Sequence, residues 1–386
     1  MKISIGIDAS NIGEGGGVTH LIELLNNLIN KFNTTTIKGI TVFSSQKVLN
    51  KLPDSNFIKK ITFPGLNKGL LFRVLFQITQ YDKEIKKHCD ILFSISGDYL
   101  GKFKPVVGMS QNMLLYERDI WKEIKQPKEI IRFWLNFQKQ KRCFKNASGI
   151  IFISGYAQSE VAKQINLHRK EITKIHHGIS SRFIGKVKPQ KEISQYSLEM
   201  PFRFLYVSTV HVYKHQWNVI EAVGNLRQKG YPVELDLVGG TIFSPAGKML
   251  EDALNKIDYH EKFIRYHGHI SYEEIDTFYK NSNGIIYAST CENMPNILIE
   301  SMASGIPIAC SDKQPMPEFL KDNGFYFDAK NSGSIEKALV ELLLQPKVRV
   351  ENATKCLEEV KNYSWAKTTE QTMKFIEKIY KEYNHV

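Results

Sequence analysis

The sequence predicts an α/β protein built from two parallel-sheet domains. Short apolar stretches alternate with helix-periodic stretches along the whole chain, the pattern of parallel strands joined by crossover helices. At 386 residues the chain is also too long for one ordinary hydrophobic core. Finally, the polar and charged stretch 185–199, GKVKPQKEISQYSLE, separates two sets of such elements as a linker would.

In the first set, Ile3–Ile7 alternates as a strand and is followed by a glycine-rich turn. A helix follows, with Val18, Leu21, Ile22, Leu25, Leu28 and Ile29 on one face. Ile91–Ile95, Pro105–Met109 and Gly149–Ile153 read as further strands. The second set has strands at Phe202–Ser208, Val233–Val238, Phe263–Tyr266, Gly284–Tyr287 and Ile306–Cys310. Ser364 caps a terminal helix with apolar positions at helical spacing from Trp365 to Tyr380. The expected division is a first domain over 1–184, a linker over 185–201, a second domain over 202–364 and a terminal helix over 365–386.

With 42% hydrophobic and 24% charged residues, no large disordered part is expected. Five scattered cysteines without a C-x-x-C pair argue against a disulfide frame or a structural zinc site, and favour a reducing, cytoplasmic setting. The N-terminus MKISIGIDAS has no signal-peptide core, and the apolar run Gly69–Ile78 is too short to span a bilayer. Charge is divided unevenly. Residues 1–200 hold 31 Lys and Arg against 16 Asp and Glu, whereas residues 201–386 hold 21 against 24. The first half is therefore expected to meet an anionic surface, membrane lipid before nucleic acid, because no stacking or groove-reading motif accompanies the charge.

The most informative stretch is 290–310, TCENMPNILIESMASGIPIAC. Glu292 falls in a loop, Pro295 opens a helix at its first position, Glu300 lies inside that helix, and Ser304-Gly305 closes it. Such a helix start directs backbone N–H groups, here those of Asn296 and Ile297, at an anion. A carboxylate on either side suits the hydroxyls of a nucleotide sugar.

The segment resembles the E-x(7)-E signature of retaining GT-B glycosyltransferases of family 4. Ser289, Glu292, Pro295, Glu300, Met302, Ala303, Gly305 and Pro307 fall in register; Asn293 replaces the usual glycine and Ser301 the usual alanine. The resemblance implies two Rossmann-like domains facing a central cleft, with the last helix crossing back to the first. It places Glu300 on the donor ribose and Glu292 on the transferred sugar. Asn293, Met294, Pro295, Asn296 and Ile297 supply backbone donors. Lys214, in VSTVHVYK, stands where the family has G-R-L-x-x-x-K, so its ammonium would face the leaving diphosphate. Ser208 and Thr209 replace the family's arginine, leaving Lys214 to carry more charge or His211 or His215 to assist.

The remaining motifs are less specific. The turn Asn11–His20, NIGEGGGVTH, is similar to the family's Gly-Gly loop facing the diphosphate, which assigns that role to Gly16 and Gly17. LVGG, with Gly239, and YHGHI, with His267 and Gly268, resemble the strand ends framing the nucleoside. His267 and His269 on one turn can suggest a metal, but loop polarity is the simpler reading, and no D-x-D pair points to an essential metal. Gln111 and Asn112 match the acceptor-side loop, where they orient a substrate or cap the loop; neither amide can act as a general base. The aromatics of Ile131–Lys145, IRFWLNFQKQKRCFK, are expected to pack inward while its lysines face lipid.

The resemblance thus implies a cytoplasmic enzyme, peripheral to a membrane. It moves a sugar from a UDP- or GDP-sugar to a glycan or lipid-linked acceptor in O-antigen, lipopolysaccharide or capsule assembly, with no cofactor or metal. The residues alone leave two rivals: an NAD-dependent Rossmann oxidoreductase and a nonenzymatic basic module for lipid or nucleic acid. The poor G-x-G-x-x-G order counts against the oxidoreductase.

Overall fold

The computed structural model describes every residue except 1, 14, 32–35, 169, 261 and 385–386, together with the side chains of residues 31, 70 and 71. Glu14, within the glycine-rich turn, therefore lies outside the described residues.

The chain divides into two compact units. The first comprises residues 1–118, 125–178 and 363–386; the second comprises 119–124 and 179–362. The break falls at Gly178/Ile179 rather than at residue 184. The expected linker is also no free tether. Gly185 N–H donates to the Ala303 carbonyl at 2.8 Å, and Lys188 Nζ caps the carbonyls of Tyr279, Lys280 and Ser282. Lys188 thereby satisfies backbone acceptors of the second unit, a role that composition alone does not reveal.

Unit 1 holds seven strands: β1 (Ile3–Asp8), β2 (Ile37–Phe43), β3 (Ile58–Ile61), β4 (Ile91–Ser94), β5 (Val106–Ser110), β6 (Gly149–Phe152) and β7 (Glu171–Lys174). Their order is β3-β2-β1-β4-β5-β6-β7, all parallel. β4 and β5 are buried throughout, as strands covered on both faces by helices must be. The helix Trp365–Asn384 packs in this unit, with Ile379 and Phe375 against Gly149 at the start of β6.

Unit 2 holds β8 (Phe202–Val207), β9 (Val233–Val238), β10 (Ile264–Tyr266), β11 (Gly284–Tyr287), β12 (Ile308–Ser311) and β13 (Phe325–Phe327), again all parallel, in the order β10-β9-β8-β11-β12-β13. In both sheets the strand order reverses beside the first strand, at β1/β4 and β8/β11. Connections leave in opposite directions there, which opens a crevice at the carboxyl ends of the two strands.

Candidate functional site

In unit 2 the crevice receives two loops. After β8 the chain runs through Ser208–Thr209 into a short 3-10 turn, Val212–Lys214; after β11 it runs through Ser289–Glu292. Backbone bonding ties them together, for Thr290 N–H donates to the Tyr213 carbonyl at 2.8 Å. His215 adopts a left-handed conformation (φ 49°) and brings Nε2 to within 2.9 Å of Thr290 Oγ1.

This bracing brings Lys214 directly onto Glu292. The ammonium and carboxylate form a short ion pair, with side chains 7% and 17% exposed. Glu292 Oε1 also accepts from Ser289 Oγ at 2.6 Å and from the Tyr287 hydroxyl at 2.9 Å. Lys214 lies 5.3 Å and 5.6 Å from the ring centroids of Tyr213 and Tyr287, and its carbonyl accepts from Tyr206. A pair this enclosed is held by its additional hydrogen bonds, since the Coulomb attraction alone scarcely offsets desolvation. Sequence reading named both residues but not their contact, which depends on β8 and β11 being neighbours.

The histidines cannot replace the absent arginine as cations in the way expected. Burial, reinforced by the charge of Lys330, pushes His215 down to about 4, so it is neutral near pH 7. His211 is occupied locally: its Nδ1 accepts from Val212 N–H at 3.0 Å and its ring stacks on Phe243. Ser208 is buried and Thr209 exposed, and neither supplies charge.

The helix after the second loop spans Asn296–Ala303. Pro295 is its N-cap rather than its first residue, with ψ near 80°. That geometry turns Asn296 N–H back onto the Met294 carbonyl at 2.9 Å, so this donor is engaged within its own turn instead of aimed outward. Asn293, Met294 and Pro295 are buried; Asn296 and Ile297 are half-buried. Gly305, φ 71°, ends the helix in the left-handed conformation that favours glycine.

Glu300 is 9% exposed and accepts from the Tyr272 hydroxyl at 3.1 Å. Burial pushes its carboxyl up to about 7, against the opposing pull of Tyr272 and Arg182. Arg182 stacks on the Tyr272 ring at 5.0 Å and so fixes the phenol. Tyr272 and Arg182 were not evident in the sequence because both are remote from the motif.

At the end of β9, Gly239 has φ 140°, and a Cβ there would lie 2.1 Å from the Ser208 carbonyl oxygen. Its N–H donates to the Gly268 carbonyl at 2.7 Å. His267 Nε2 lies 2.7 Å from Asp236 Oδ1, and its ring meets Phe278 edge-on. Among the described residues no group of three or more His, Cys, Asp or Glu side chains is placed to hold a metal ion.

The unit 1 candidates belong to a separate set. The first helix, Gly16–Lys31, begins at Gly16, but the glycine its entry turn requires is Gly15, φ 73°. A Cβ on Gly17 would make only ordinary contacts with Ile12 and Gln111. Gln111 Nε2 lies 2.8 Å from His20 Nδ1, and His20 stacks on Trp365. Asn112 caps the turn that follows it, accepting from Leu114 N–H at 3.0 Å. Asp8, at the end of β1, was missed: Tyr81 donates to it at 2.9 Å, and burial with the charge of Asp98 pushes it up to about 6. Only its position at a strand end could have drawn attention to it.

The second unit is similar to known proteins. Residues 188–361 match the family model for glycosyl transferases group 1. This part of the chain is thus similar to group 1 glycosyl transferases. The chain is also 23% identical over 233 residues to O-antigen chain mannosyltransferase B of Escherichia coli. That alignment covers 59% of this chain and 60% of the relative. Two solved structures match nearly end to end. HepE of Anabaena, in complex with UDP and glucose, has TM-score 0.72 at 15% identity, covering 97% of this chain and 100% of HepE. WaaG, a glycosyltransferase involved in lipopolysaccharide biosynthesis, has TM-score 0.69 at 12% identity, covering 96% and 99%. The fold is GT-B, with two Rossmann-like parallel sheets, and residues 188–361 are the part that matches the glycosyl transferases group 1 model.

Proposed function

We propose that the chain is a retaining glycosyltransferase that moves a sugar from a nucleotide-diphosphate sugar to a glycan or lipid-linked acceptor in cell-surface polysaccharide assembly. The observation that carries this reading is the Lys214–Glu292 pair at the β8/β11 crevice, inside the group 1 domain. The mannosyltransferase relative and WaaG favour O-antigen or lipopolysaccharide assembly, and HepE's bound UDP and glucose favour a nucleotide-sugar donor.

In this reading the donor diphosphate takes the Lys214 ammonium from Glu292. The freed carboxylate, still anchored by Tyr287 and Ser289, accepts hydroxyls of the transferred sugar. Glu300, oriented by Tyr272, accepts the ribose hydroxyls, and Gly239, His267 and Gly268 border the base. Asn293, Met294, Pro295 and Ile297 shape the diphosphate's surroundings. Glu292 is thereby engaged by the hydroxyls of the transferred sugar rather than by the acceptor. The leaving phosphate oxygen therefore takes the acceptor's proton as the new bond forms on the same face of the sugar. No metal or cofactor is invoked, and the setting is cytoplasmic, at an anionic membrane surface.

A panel of UDP-, GDP- and dTDP-sugars, assayed for transfer and hydrolysis with the product anomer read by NMR, tests this reading. Turnover of one donor with retained configuration is expected. A thermal shift with NAD and none with any sugar nucleotide would favour an oxidoreductase instead.

A further inference from the structure

Outside the β8/β11 crevice, unit 2 carries a second concave surface. The helix Ser244–Ile257 packs by one flank on the helix Gln216–Gln228, and β10 is the edge strand of the sheet. Between the other flank and that edge lies a groove of about 860 Å³. Small-molecule sites span roughly 300–1,000 Å³, so a short oligomer has room there. Tyr266 closes one end. Its hydroxyl donates to the Gly239 carbonyl at 2.9 Å and lies 3.2 Å from Thr241 Oγ1. At the other end Asp258 accepts from the N–H groups of Phe263 and Ile264 at 2.7 and 2.8 Å, which ties the end of the helix to the start of β10. Tyr259, next to Asp258 and also in the lining, is 71% exposed. The groove is distinct from the surface assigned to the base. Tyr266 lines the helix side of the sheet, whereas His267 turns to Asp236 on the opposite face.

The polar lining of this groove is uncommitted. On other helices of the chain a lysine pairs with an acid one turn away, as Lys280 does with Asp276, Lys355 with Glu351 and Lys374 with Glu370. Lys248 has Glu251 and Asp252 at the same spacings, yet neither ion pair forms. Ser244 and Asn255 likewise make no side-chain hydrogen bond among the described residues. The lining also narrows what can bind. Glu251 and Asp252 disfavour phosphates and other polyanions. Among the described residues no group of three or more acids, histidines or cysteines is placed to hold a metal ion. Leu250 and Leu254 are the only aliphatic side chains in the lining, too little for a lipid or an apolar peptide face.

We propose that the groove between the helix Ser244–Ile257 and β10 is a non-catalytic binding site for a neutral oligosaccharide, holding a glycan on unit 2 away from the reacting sugar. A glycan matches the lining in both of its surfaces. Its hydroxyls donate to Glu251, Asp252 and the Asn255 amide oxygen and accept from Lys248, while its C–H faces lie on the rings of Tyr259 and Tyr266. The site shares no residue with Lys214, Glu292 or Glu300, so it goes beyond the proposed transfer reaction and stands independently of it.

Hydrogen-exchange mass spectrometry of the full chain, titrated with mannotetraose and with maltotetraose, tests it. Tetragalacturonate and a tetralysine peptide serve as the charged arms. Protection of the segment 241–266 by a neutral tetrasaccharide is expected. Tyr259→Ala should raise the midpoint concentration about tenfold, the worth of one good aromatic contact. The double variant Glu251→Ala, Asp252→Ala should weaken protection as well. All three side chains are exposed, so unchanged circular dichroism separates loss of the site from loss of the fold. No protection of 241–266 by either neutral tetrasaccharide, or protection that both variants retain in full, overturns the proposal. So does stronger protection there by tetragalacturonate or tetralysine. The readout needs no turnover: a failed transfer assay leaves this result standing, and an empty groove leaves the transferase reading standing.

Discussion

At the carboxyl ends of β8 and β11 a lysine and a glutamate neutralise one another; at the corresponding place in unit 1, the end of β1, Asp8 is held by a phenol and a backbone N–H. Asp8 Oδ2 has no hydrogen-bond partner among the described residues, and its carboxyl is pushed up to about 6. Both sheets therefore place acidic groups at the same topological position. In unit 2 the carboxylate is held by a cation and two hydroxyls. In unit 1 burial drives the group toward its neutral form. The first arrangement suits a ligand that brings its own negative charge and competes for the lysine; the second suits internal structure. Topology supplies the crevice, and side-chain pairing decides whether it can do chemistry.

The largest test of that contrast is removal of the pair. Lys214→Ala and Glu292→Ala should each lower kcat/KM by roughly 100- to 1000-fold, about 2.7–4 kcal/mol of transition-state stabilisation. The double variant should lose less than the sum, because the two residues share one interaction. Additive losses in the double-mutant cycle would mean that the Lys214–Glu292 contact does not couple the two residues' contributions.

Glu300 sharpens the comparison through pH. Its pKa lies near 7 because burial disfavours the carboxylate. Donor affinity that relies on the carboxylate should therefore fall as pH drops through about 7, and Tyr272→Phe should move that midpoint upward. Stability runs the other way. The folded state holds the proton more tightly than the unfolded state does, so this group's contribution is full below about 4.5 and is lost as pH rises through about 7. Glu300→Gln should then bind donor weakly at every pH, yet gain on the order of 2–3 kcal/mol of stability at pH 8 by calorimetry. A pH-independent donor affinity in the wild type would remove Glu300 from the site.

Asp8 should behave as the internal counterpart. Its pKa is raised from 3.8 to about 6, so its contribution is present below about 3.8 and lost as pH rises through about 6. Asp8→Asn, whose amide oxygen can still accept from Tyr81, should raise stability at pH 8 by on the order of 1–3 kcal/mol and change kcat/KM little. A loss of activity comparable to that of Lys214→Ala would make the two strand ends functional equals. The smallest effect is expected at Gln111, where Ala removes one hydrogen bond to His20 and should cost about 1 kcal/mol of stability.

The sequence made the alternating frame legible, because a parallel strand buried on both faces has to be an apolar run between helix-periodic stretches. It also made Glu292, Pro295 and Glu300 legible, because loop, helix start and helix interior follow one another within a few residues. What it concealed is assembled across the sheet. Lys214 and Glu292 are 78 residues apart and meet only because β8 lies beside β11. Asp8 and Tyr81, separated by 73 residues, meet in the same way. The engagement of Asn296 N–H follows from the backbone angle at Pro295, which a spacing rule does not determine. Tyr272, which orients Glu300, stands on a loop with no motif of its own.

Calorimetric titration of UDP, GDP and their sugar conjugates into the folded wild type, Lys214→Ala and Glu300→Gln tests the central claim most directly. The account predicts that one nucleoside diphosphate series binds the wild type and binds each variant at least roughly tenfold more weakly, a difference of about 1.4 kcal/mol. Unchanged affinity in both variants, or no binding of any nucleoside diphosphate to the wild type, would contradict it.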